Sequence, residues 1–121
     1  MRHWIDKFRY AGRGLLSGMH RQSSFAVHFV VSVLVVGVAS VLRCELWQWC
    51  VLGLCIALVV GLEYMNSAVE RLAKGLCKEH NPDIGAALDI SSAAVLFASL
   101  VAALIGSAIF INQAWCLFAT N

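Results

Sequence analysis

The chain has 121 residues, 60% of them hydrophobic and 13% charged, with a formal net charge of +2 and a mean hydropathy of +0.78. Soluble domains are usually about 45–50% apolar and about 25% charged, and so small a soluble core leaves much of its chain on the surface. The composition argues against a disordered chain, a secreted disulfide scaffold and a nucleic-acid binder, and for one compact membrane unit, which the residue patterns along the chain make all-α.

Residues 1–22 form the first element. Trp4, Ile5, Phe8, Ala11, Leu15, Leu16 and Met19 recur at helical spacing, and Lys7, Arg9 and Arg13 fall mostly off that stripe. The pattern is a basic amphipathic helix, lying on the inner membrane surface or packed on the bundle. Residues 25–42 carry no formal charge and are interrupted only by His28, Ser32 and Ser40. They make a first span. Its late start, with no small-x-small cleavage site after it, argues against a signal peptide. Residues 46–62 are a second uncharged run, whose helix is expected to continue through Glu63 to residue 74 as a cytoplasmic extension. Asn81-Pro82 then marks a helix start, with Asn81 as N-cap and Pro82 in the first turn. A third spanning helix follows over 82–114, and residues 77–81 make a short turn. No stretch alternates polar and apolar residues, so a β-barrel is excluded.

Charge placement sets the orientation. Five basic residues precede the first span, one lies in the first loop, three in the second connection and none in the tail. Positive residues favour the cytoplasmic side, so the N-terminus is expected inside and the C-terminus outside. Trp47, Trp49 and Trp115 fall at the outer face, where indole rings anchor. The five cysteines match no zinc spacing and read as small packing thiols.

The informative polar residues follow the second apolar run. Glu63, Asn66 and Glu70 are spaced by three and four, so they share one helix face, joined by Ser67. Asp89, a short way into the next helix, is expected at the depth of Glu70. Acids at the edge of a bilayer are costly unless they are paired or functional. Gathered carboxylates call for a cation, and magnesium with hard oxygen ligands suits them. The plain alternative is a solvated helix end, with Glu70 paired to Lys74 and Asp89 favoured by the helix dipole. His28 reads as a polar side chain bonded within the bundle. Ala98, Ala102 and Gly106 form a small-residue stripe suited to close helix packing. No P-loop is present.

The run Glu63-Tyr64-Met65-Asn66-Ser67-Ala68-Val69-Glu70 resembles the E-x-x-N-[ST]-A-[IV]-E signature of the bacterial diacylglycerol kinase and undecaprenol kinase family. Asp89-Ile90-Ser91-Ser92-Ala93-Ala94-Val95 resembles that family's second block. Tyr10, Gly14-Leu15 and Ser24-Phe25 through His28 resemble its N-terminal block. The resemblance implies a homotrimer in the bacterial inner membrane, with three spans preceded by a surface helix. It implies transfer of the ATP γ-phosphate to a lipid hydroxyl with Mg2+. By carry-over, Glu63 is the general base, Asn66 positions the reacting groups and Glu70 holds the metal. Tyr10, Glu70, Glu79 and Asp89 line the nucleotide site, and Arg9, Ser24 and Phe25 meet the lipid. Three positions depart from the family pattern. Gln22 stands where a second metal-binding Glu is usual, Leu88 where a Lys precedes the Asp, and Lys74 where an Asp is typical. Two other functions stay open: an impaired relative serving in membrane binding or assembly, and a small transporter or channel, although no span carries a continuous polar face.

Overall fold

The computed structural model describes residues 1–19, 23–76 and 79–120. Four helices follow one another: α1 Arg2–Met19, α2 Ser23–Val41, α3 Leu46–Leu76 and α4 Pro82–Ala119. No strand occurs among the described residues. Expected residue Gln22 lies outside them, and so does the side chain of Ser24.

α3 and α4 are long and apolar enough to cross a membrane. Only 22% and 17% of their apolar windows are buried within the chain, which is unlike the core helices of a soluble protein. α2 contributes a shorter apolar helix, Phe25–Val41. The whole of α2, 19 residues, is about 28 Å long, close to the hydrocarbon thickness of about 30 Å.

α4 starts where its local chemistry dictates. Asn81 is extended and accepts from the Asp83 amide at 3.0 Å, with Pro82 in the first turn. Proline costs nothing there, because its missing N–H has no intrahelical acceptor. α3 starts at a half-closed capping box. Gln48, 1% exposed, accepts from the Glu45 amide at 2.8 Å.

α2 ends in a Schellman-type turn. The Cys44 amide reaches Ala39 O at 3.1 Å and the Arg43 amide reaches Ser40 O at 3.3 Å. Arg43 takes φ 54°, a left-handed conformation usually given to glycine. Gln113 of α4 donates to the carbonyls of Leu42 at 3.0 Å and Arg43 at 3.1 Å.

The buried core lies beside that turn, where Ala39, Leu52 and Ile109 meet from α2, α3 and α4. Gly106 of the small-residue stripe sits there too, its Cβ direction 3.9 Å from Leu52 Cδ2. Ala98 is buried. The stripe is therefore part of packing within the chain. Burial at this end pushes the Cys44 thiol above its ordinary value, which suits a packing thiol and not a reactive one. α1 leaves Trp4, Ile5, Phe8, Leu15 and Leu16 exposed as an apolar face, with Lys7 Nζ 5.0 Å from the Trp4 ring centre.

Candidate functional site

α3 has 31 residues and is about 46 Å long, more than a bilayer core needs. Measured from Leu46, Glu63 stands about 26 Å along the helix and Glu70 about 36 Å. The polar row therefore starts where the apolar run ends and continues past it. Glu63 is 3% and Asn66 7% exposed, while Ser67 and Glu70 are half-buried. One face of α3 carries all four, as their spacing requires.

Asn66 joins the hairpin. Its Nδ2 donates to Glu70 Oε1 at 3.2 Å, and its Oδ1 accepts from Ser92 Oγ of α4 at 3.5 Å. A carboxamide suits this position because it can donate to a carboxylate and accept from a hydroxyl at once. Since α3 and α4 run antiparallel, the Asn66–Ser92 contact sets residue 89 level with residues 69–70. Asp89 has the expected depth. It is exposed, however, and so does not face the hairpin seam.

Glu63 lies beside α2. Oε2 of its carboxylate is 3.5 Å from Nε2 of His28. The expected bundle-bonded histidine thus has the candidate base as its partner. One residue further along, the Tyr64 ring packs edge-on against Phe25 with centres 4.7 Å apart. Phe25 is buried within the chain. The Tyr64 hydroxyl donates to the Leu15 carbonyl at 2.9 Å and ties α1 to α3.

Two cavities flank this row. At the hairpin end, one of about 270 Å³ is lined by Glu70, Lys74, Glu79, His80, Asn81 and Leu88, among others. Of the residues expected at a nucleotide, it gathers Glu70 and Glu79. Tyr10 is 65% exposed on α1 and is not among its lining residues. Arg9 is exposed on the same helix. The second cavity, also about 270 Å³, runs along the spans and is lined by His28, Val35, Leu52, Val59 and Ser99, among others. The buried Ser99 Oγ has no hydrogen-bond partner.

Among the described residues, no three His, Cys, Asp or Glu side chains form a metal cage. The cavity's carboxylates, Glu70 and Glu79, are hard oxygen donors. They fit magnesium in its common mode, where one or two carboxylates share the ion with substrate phosphates.

The structure adds two residues to the expected site, His28 and Ser92. Their signals in the sequence are the depth of His28 at the inner end of α2 and the place of each within a block that resembles the family's.

Fold and site together define a helical membrane protein with a row of acids and an amide where the apolar run of α3 ends. The family model for prokaryotic diacylglycerol kinase matches residues 9–110, and the chain belongs to that family. An undecaprenol kinase of Bacillus subtilis is 24% identical over 113 residues, covering 93% of this chain and 92% of that protein. A diacylglycerol kinase of Synechocystis sp. is 30% identical over 108 residues, covering 88% of this chain. The match takes in 62% of that longer relative, so the chain spans less than two thirds of it. No solved structure matches the chain at comparable significance.

Proposed function

We propose that this chain is an ATP-dependent lipid kinase. It transfers the γ-phosphate to the hydroxyl of a membrane lipid alcohol of the diacylglycerol or polyprenol class. The observation that carries this is the row of buried Glu63, buried Asn66 and half-buried Glu70, in which Asn66 bridges Glu70 and Ser92, inside a chain of this family.

The chemistry needs little beyond positioning and charge neutralisation. Glu63 takes the hydroxyl proton as the lipid oxygen attacks the γ-phosphorus. The oxygen–phosphorus bond forms, the bond to the β-phosphate oxygen breaks, and ADP leaves. Asn66 holds Glu70 in place, and Glu70 and Glu79 would hold the metal at the hairpin cavity. Bound there, Mg2+ neutralises phosphate charge. Burial of Glu63 beside apolar spans keeps bulk water from competing with the lipid hydroxyl.

The protein is read as a multi-pass component of the bacterial inner membrane, with α2, α3 and α4 spanning. α1 rests on the cytoplasmic surface through its apolar face, and the C-terminus lies outside. A homotrimer completes the site, with further nucleotide contacts from Tyr10 and Asp89, lipid contacts from Arg9, Ser24 and Phe25, and the side-chain amide oxygen of Gln22 as a further metal ligand.

The test supplies labelled ATP and a panel of lipid alcohols to the protein in bilayers, wild type against Glu63→Gln. Transfer to one or more alcohols, lowered about 100-fold or more in Glu63→Gln, supports the proposal. No transfer by the wild type overturns it.

A further inference from the structure

An ionised carboxylate taken out of water is strongly destabilised unless it is paired. Glu63 meets this condition at His28, whose Nε2 lies 3.5 Å from Oε2 of Glu63. The pair is enclosed, with 21% of the His28 and 4% of the Glu63 side chain exposed. The surroundings fix its geometry. Phe25, one turn before His28 on α2, packs on Tyr64, the residue after Glu63. α2 and α3 are therefore held in register at this level. The separation is longer than the usual 2.7–2.9 Å of a charge-assisted hydrogen bond, and catalytic contacts are often this loose before substrate binds.

We propose that His28 is a positioning residue for phosphotransfer: its imidazole holds the Glu63 carboxylate toward the lipid hydroxyl. This rests on Glu63 being the base. A partner on one carboxylate oxygen limits rotation about the outer side-chain bonds of Glu63, so less freedom is lost on reaching the transition state. His28 acts through Glu63, so its effect falls on kcat more than on the KM for ATP.

The test uses the full chain in bilayers and two readouts. His28→Ala and His28→Gln are compared, each alone and with Glu63→Gln. His28→Ala is expected to lower kcat by about 10- to 100-fold, the cost of loosening a reacting group, with the KM for ATP within about twofold. His28→Gln places an amide donor near the position of Nε2 and is expected to recover most of that loss. In thermal unfolding, His28→Ala is expected to lower the midpoint clearly beside Glu63 and much less beside the Glu63→Gln side chain. Wild-type kcat in folded His28→Ala, or additive unfolding effects, overturns the proposal. Should His28→Ala not fold, His28→Leu gives the same comparison with His28→Gln. No phosphate transfer by the wild type would overturn the base assignment and this role with it. The unfolding cycle would then still report whether the two side chains are coupled.

Discussion

The Asn66 carboxamide donates to Oε1 of Glu70 at 3.2 Å, one helical turn further along α3. A neutral donor orients a half-buried carboxylate without adding a charge of its own beside it. Asn66→Ala removes this bond and leaves Ser92 without its acceptor. A hydrogen bond to a charged group contributes about 1.5–3 kcal/mol. The variant is expected to raise the KM for Mg-ATP by about tenfold or more and to fall in kcat. Steady-state kinetics with varied ATP at saturating lipid checks this, and an unchanged KM counts against the positioning role.

Lys74 and Leu88 line the same hairpin cavity from α3 and α4. In the resemblance drawn from sequence, the family's cation stands at the Leu88 position. The structure sets Lys74 across the hairpin from it, on the wall that Glu70 shares. A lysine on a phosphate acts as a point charge. Lys74→Ala is expected to raise the KM for ATP about fivefold, and more at low salt than at high. Adding Leu88→Lys to that variant is expected to restore most of the affinity. A double variant no better than Lys74→Ala would show that the two positions do not exchange the charge.

Local rules made part of this legible in the sequence. Asn81-Pro82 announces α4 because capping depends on adjacent residues alone. The common face of Glu63, Asn66 and Glu70 follows from helical spacing. What the sequence left hidden depends on how helices turn against one another. Asp89 illustrates this, since chain distance from the hairpin sets its depth but not the side of α4 it faces, and it faces outward. The partner of His28 is hidden for the same reason, because α2 and α3 are joined at the far end of the bundle. Arg43 in a left-handed conformation is also unannounced, since a glycine is the usual signal there.

The Tyr64 hydroxyl bond to the Leu15 carbonyl is the described hydrogen bond that holds α1 to α3. Tyr64→Phe deletes it and keeps the ring against Phe25. A neutral hydrogen bond contributes about 1 kcal/mol net, so α1 is expected to open about fivefold more often. Trypsin cleavage at Arg9 and Arg13 in bilayer-embedded protein measures this opening. An unchanged rate would mean that the apolar face of α1 alone secures it to the membrane.

At the other end of the bundle, Gln113 takes two carbonyls that the α2 turn leaves open, those of Leu42 and Arg43. It closes the left-handed Arg43 turn from a different helix, so a local strain is held by a tertiary contact. Gln113→Ala removes both bonds. Some of that cost is recovered if water reaches the carbonyls, so the expected destabilisation is about 1–2 kcal/mol, read as a lower denaturant midpoint in detergent. Arg43→Gly relieves the turn, because glycine takes positive φ freely, and is expected to recover about 1 kcal/mol of that loss. Gln113 is about 36 Å from the level of Asp89 along α4. The KM for ATP in Gln113→Ala is therefore expected to match the wild type. A lower midpoint with an unchanged KM separates the end of the bundle that holds the helices together from the end that holds the acids. If the KM rises with Gln113→Ala, the two ends are coupled through α4.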